Sequence, residues 1–153
     1  MRDVPETKTD LRTSRAEENA FIALMRTTDA LSRRVAQVMK VEDVSLTQYN
    51  VLRILRGSPE GLSCGEIGSR MITREPDTTR LLERLEKRKL VSRRREATDR
   101  RTVIAHVTPI GLALLHRLDE PVQRVHRQQL GHLGPKRLKE MVELLAVCRS
   151  RLN

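Results

Sequence analysis

From about Ser14 to Val41, apolar residues recur at helical spacing, at Phe21, Leu24, Met25, Leu31, Val35, Val38 and Met39. This predicts one long amphipathic helix with Arg26, Arg33 and Arg34 off the stripe. Residues 1 to 14 are polar and charged without that period and are expected to form a mobile N-terminal arm. Ser45 and Gln48 stand at capping-box spacing, so a helix should run through Tyr49, Leu52 and Leu55 until Gly57-Ser58-Pro59-Glu60-Gly61 stops it. A second capping box, Ser63 with Glu66, opens a short helix through Ile67 and Met71. After a break at Met71 to Arg74, Glu75-Pro76-Asp77 reads as the start of a third helix, with Pro76 in its first turn and acids beside the positive end. Leu81, Leu82 and Leu85 supply its buried stripe and leave Thr78, Thr79, Arg80, Glu83 and Arg84 for the other faces.

The period then changes to two. Leu90 to Arg95 reads as a strand entering a turn at Glu96 to Arg100, and Thr102 to Val107, rich in β-branched residues, as the returning strand. The pair forms a hairpin with a basic tip. Thr108 as N-cap and Pro109 at the first helical position start the next helix, with Leu114, Leu115, Leu118, Val122, Val125 and Leu130 on its apolar face and a kink expected at Pro121. A turn at Gly131 to Pro135 precedes a last amphipathic helix carrying Leu138, Met141, Leu144, Leu145 and Cys148.

This order predicts a mainly α fold with a small β-wing: a winged helix-turn-helix flanked by N- and C-terminal dimerisation helices. The divisions are the arm at 1–14, an N-terminal dimerisation helix at 15–44, the winged helix-turn-helix at 45–107 and C-terminal dimerisation helices at 108–153. Dimerisation enters because the stripes of the first, fifth and sixth helices exceed what a winged core of about 60 residues can cover. A twofold homodimer would also set two recognition helices about one DNA turn apart.

Composition narrows the function. The 153 residues carry a net charge of +10, and the stretch from Arg74 to Arg101 holds eleven basic against six acidic residues, half of the excess. Such a charge points to phosphates of double-stranded DNA or to another anionic surface. With one Tyr, one Phe and no Trp, a reader that stacks single-stranded bases is excluded. No run approaches ~18 apolar residues and the start lacks a signal-peptide stretch, so a cytoplasmic protein with no membrane contact is expected. Cys64 and Cys148 form no metal-type pair, and although Cys64 sits in a first helical turn, Glu66 opposes thiolate formation there. His116, His126 and His132 are spaced ten and six apart, which does not put two ligands on one helix face. No nucleophile elbow, Walker loop or HExxH helix occurs, and neither an enzyme nor a cofactor is expected.

The candidate DNA-binding residues are Asp77, Thr78, Thr79, Arg80 and Arg84 on the recognition helix and Arg93, Arg94, Arg95, Asp99, Arg100 and Arg101 on the wing. Arg80 suits a bidentate contact to guanine, or a phosphate contact, or an intrahelical pair with Glu83. Asp99 either holds Arg100 or Arg101 in one rotamer by an ion pair or simply favours the turn. A protein-interaction adaptor that no longer reads DNA is the alternative function.

The run from Thr79 through Leu85-Glu86 to Leu90-Val91, the Asp99-Arg100-Arg101 wing and the Thr108-Pro109-Ile110-Gly111 helix start resemble the MarR family of bacterial winged-helix transcriptional regulators over roughly residues 20 to 150. The resemblance implies a homodimeric repressor on a pseudo-palindromic operator, with Thr79 and Arg80 on the recognition helix and Arg101 as the minor-groove candidate beside Asp99. It also implies a small-molecule effector, since many relatives respond to phenolic or aromatic carboxylate ligands; Tyr49 and Phe21 are the only aromatics that could line such a crevice. Two residues depart from the family pattern. Lys89 stands where many members have Gly, and Asp77, where a small or hydroxyl residue is usual, suits a helix cap or a cytosine amine.

Overall fold

The computed structural model describes residues 8–95 and 101–152, with side chains from 15 onward. The chain divides into two compact units, Met1–Arg34 and Val35–Asn153. In the first, the long helix α1 (Lys8–Met39) begins at Lys8, ahead of the expected start near Ser14. An apolar period marks which face of a helix is buried, not where its backbone ends. Once nucleated, a helix extends at one hydrogen bond per residue fixed, so it can run past the last residue of its apolar stripe.

The second unit holds the core. A 3-10 turn, Lys40–Glu42, follows α1, and Asp43 closes it in the left-handed conformation at φ 52°. Both expected capping boxes form, Ser45 with Gln48 on α2 (Leu46–Arg56) and Ser63 with Glu66 on α3 (Cys64–Arg70). α4 (Thr78–Lys87) leads through a tight turn into β2 (Val91–Arg95), and β3 (Val103–Val107) returns to α5 (Pro109–Leu130). The expected two-stranded hairpin is a three-stranded antiparallel sheet, because Leu62–Ser63 (β1) pairs with β3 in the order β1-β3-β2. A strand of two residues has no period to read, and its partner lies some forty residues away in the chain. α5 runs unbroken through Pro121, and a 3-10 turn (Gly131–Leu133) joins it to α6 (Gly134–Ser150).

Met39, Val51, Leu52, Leu55, Ile67, Leu85 and Leu115 are fully enclosed and form one aliphatic core with the stripes of α4 and α5. Leu114, Leu115, Leu118 and Val122 of α5 are thus covered within the chain, so the expectation that the fifth helix needs a partner fails for this half of it. α6 differs, with no buried residue and with Val142, Leu144 and Val147 exposed. In the first unit Phe21, Leu24 and Met25 are exposed too.

Two junctions hold the recognition region. At the end of α4 the Leu90 N–H donates to the Leu85 carbonyl and the Lys89 N–H to the Glu86 carbonyl, the paired bonds of a Schellman cap, with Lys89 left-handed at φ 60°. The Thr108 hydroxyl donates to the Lys89 carbonyl at 2.6 Å and accepts from the Gly111 N–H at 3.1 Å, so one side chain joins the end of α4 to the start of α5. Gly111 is required there, because a Cβ would run into the Leu90 carbonyl oxygen. At the other junction Arg88 donates to the carbonyls of Glu42 and Asp43, while Arg117 grips the Glu42 carboxylate with bonds of 2.7 and 2.8 Å.

Candidate nucleic-acid interface

The helix carrying the candidate recognition residues starts two residues after Pro76. Asp77 is its N-cap and accepts the Arg80 N–H at 2.9 Å, so Pro76 lies ahead of the helix and not in its first turn. The Asp77 carboxylate is used for the cap. Thr78 is half-buried, its hydroxyl 3.5 Å from the Glu75 carbonyl and facing Gly68 of α3. Leu81, Leu82 and Leu85 seat α4 in the core and leave Thr79, Arg80 and Arg84 exposed. Arg80 and Arg84 lie on one face, where the Arg84 Nε donates to the Arg80 carbonyl at 3.4 Å. Glu83, the intrahelical partner considered for Arg80, instead lies 3.9 Å from Arg93.

The wing candidates separate. Arg94 and Arg95 are exposed on β2, whereas Arg93 is turned onto α4. Its Nε donates to Glu86 at 2.8 Å, its Nη2 stands 2.7 Å from the same carboxylate, and its backbone N–H donates to Glu86 at 3.1 Å. Asp99 and Arg100 lie outside the described residues, and so does the expected pairing of Asp99 with an arginine. Arg101 is exposed in the turn ahead of β3.

Two concavities flank α4. One of about 330 Å³ lies between α3, α4 and the sheet, lined by Cys64, Thr79, Leu82, Arg93 and Arg101, with the Cys64 Sγ 3.4 Å from the Thr79 hydroxyl. The other, about 660 Å³, lies between the start of α2 and α4, with Lys40, Gln48, Arg84, Lys87 and Arg88 on its walls. Tyr49 lines neither, being enclosed in the core beneath the Arg53 guanidinium, 5.8 Å from the ring centroid. Burial raises its hydroxyl pKa above the usual phenol range. Its expected use in a ligand crevice is therefore not available to these two cavities.

The fixed charges brace the recognition region. Hydrogen bonds from Arg117 hold the Glu42 carboxyl below its ordinary range, and bonds from the Ser63 hydroxyl and N–H do the same for Glu66. Glu86, Glu42, Arg88 and Arg117 were not among the residues expected from sequence. Glu86 stands seven residues before Arg93 across a turn, and Glu42 is 75 residues from Arg117, so helical spacing could not pair them. Among the described residues no group of His, Cys, Asp or Glu could hold a metal ion, and no helix is long and apolar enough to cross a membrane.

A family model for the MarR family matches residues 42–102. A MarR transcription factor from Planctomyces limnophilus is 35% identical over 96% of this chain and 99% of its own, with a TM-score of 0.67. MepR of S. aureus, in a complex with DNA, is 21% identical over 86% of this chain and 96% of its own, at TM-score 0.76. BpsR of Bordetella bronchiseptica, whose DNA binding is regulated by 6-hydroxynicotinic acid, is 21% identical over 97% of each chain, at TM-score 0.75. No curated protein sequence matches significantly.

Proposed function

The chain belongs to the MarR family of winged-helix DNA-binding transcription regulators, and on that premise we propose that it is a repressor that binds a pseudo-palindromic operator as a homodimer. The observation that carries the reading is the joint exposure of Thr79, Arg80 and Arg84 on a braced helix and of Arg94, Arg95 and Arg101 on the adjoining wing. α4 enters the major groove, where Arg80 reads a base edge and Arg84 follows it on the same face. The wing arginines track the backbone and the adjacent minor groove, with Arg101 the minor-groove residue and Asp99 its partner. Asp77 and Thr78 support the helix end from behind.

The exposed apolar faces of α1 and α6 each need cover, which a second copy supplies and which sets two recognition helices one DNA turn apart. Release by a small anionic effector completes the reading. The 660 Å³ concavity is lined by Lys40, Arg84, Lys87 and Arg88 against Asp43 and Glu75, so an occupant there would draw on Arg84, a residue needed for DNA. Within 15–44 and 108–153 the exposed faces of α1 and α6 serve dimerisation, while Leu114 to Val122 of α5 pack on the winged unit 45–107 that serves DNA.

Selection of duplex sites by the purified protein, followed by binding across a salt series, tests this. Affinity should fall steeply with salt, and Arg80→Ala should relax sequence preference at one base pair by about 1–3 kcal/mol. Equal affinity for random and selected duplexes would instead support the adaptor, and a uniform loss for Arg80→Ala would assign it to phosphate.

A further inference from the structure

Arg93 has the chemistry of a DNA contact and the geometry of something else. The strand order β1-β3-β2 makes β2 an edge, and an edge strand offers outward N–H groups with no strand to receive them. The Arg93 N–H is such a group and donates to Glu86. The same carboxylate takes the Arg93 Nε at 2.8 Å and lies 2.7 Å from its Nη2, so one acid on the recognition helix holds both backbone and side chain of one wing residue. Arg93 pairs with Ala105 at the middle of the β2–β3 ladder, and that alanine is buried. The arginine side chain is only 25% exposed.

The base of β2 is fixed to α4 by the turn at Lys89, by the buried Leu90 and Val91 and by Thr108, and β3 pairs along its length. The Glu86–Arg93 clamp adds a direct tie between the recognition helix and the middle of the strand, beyond that base, and so fixes the line of the wing against the helix. A strand rises about 3.3 Å per residue, so Arg95 stands about 13 Å from Val91 at the base of the strand and, without the clamp, moves about 2 Å for each 10° of pivot there. A displacement of that size is enough to break a hydrogen bond in a groove. We propose that Glu86 is a positioning residue of the DNA-binding surface, aiming the wing through Arg93, and that Arg93 serves this clamp and does not itself contact DNA.

The inference rests on the DNA-binding reading. The probe is a duplex selected in vitro by the wild-type protein. Wild type, Glu86→Ala, Glu86→Gln and Arg93→Ala are compared by thermal melting, by affinity at several salt concentrations and by footprinting. Both alanine variants should lose the flanking, wing-side protection while keeping the central, helix-side one. Affinity should fall by roughly 5- to 100-fold, and the salt dependence should become shallower. Glu86→Gln retains an acceptor for the Arg93 N–H and should fall between them and wild type, which also serves if Glu86→Ala does not fold.

The direction separates the alternatives. If Arg93 touched DNA, Glu86→Ala would loosen its guanidinium, leaving only the longer contact to Glu83 at 3.9 Å, and hold or raise affinity while Arg93→Ala lowered it, and that result overturns the proposal. Unchanged flanking protection in a folded variant that merely melts earlier overturns it too, leaving the clamp a stabilising pair. Failure of wild type to bind any duplex would be seen before any variant is made and removes the DNA-binding reading itself.

Discussion

Lys89 stores conformational strain at the end of the recognition helix. It completes the cap of α4 at φ 60°, where an L side chain crowds the backbone and glycine does not. Lys89→Gly should therefore raise stability by about 0.5–1 kcal/mol, the relief of strain being partly offset by the freer unfolded chain, and a melting temperature about 1–4 °C higher would show it. Glu42 gives the molecule an acid-sensitive contact. Its folded pKa is lowered by Arg117, so the contact stabilises above the ordinary carboxylate pKa and is lost as pH falls through the lower folded one. Thermal melts of wild type and Glu42→Gln should differ most near neutral pH and converge as pH falls below the ordinary carboxylate range. A difference that grows with acidity would contradict this.

At the scale of elements, the caps tie sequence to structure most directly. Ser45 with Gln48, Ser63 with Glu66 and Thr108 ahead of Pro109 form as local spacing predicts, since each needs only residues within one turn. Leu62–Ser63 and the Glu86–Arg93 clamp were illegible for the opposite reason, as one is a pairing across some forty residues and the other a pairing across a turn. A run of arginines states how much charge a hairpin carries and nothing about which guanidinium is already held. That is why Arg93 looks equivalent to Arg94 and Arg95 in the sequence and differs from them in the fold. Asp77 shows the reverse case, a carboxylate odd beside phosphates that is accounted for by the Arg80 N–H it accepts. Asp77→Ala should lower stability by about 1 kcal/mol and Asp77→Ser should restore most of it in urea melts, whereas loss of specificity without loss of stability would give Asp77 a base contact.

For the whole molecule, the distribution of apolar surface is the informative quantity. α5 places Leu114 to Val122 in the winged core, but Leu144 and Val147 of α6 remain 68% and 61% exposed, the surface that the proposed homodimer covers. Leu144→Asp with Val147→Asp should give a monomer in sedimentation equilibrium and lose tight binding to a two-half-site duplex while the winged unit stays folded. A monomeric wild type would remove the basis for the homodimer.

The scarcity of aromatics has an optical consequence. Tyr49 is the chain's sole tyrosine, is buried in the core, and has no tryptophan to which it could pass excitation. Its ultraviolet absorption and emission therefore report the packing of α2 alone. Loosening of the winged core can be followed without any introduced label, and Phe21, the one phenylalanine, absorbs too weakly to interfere.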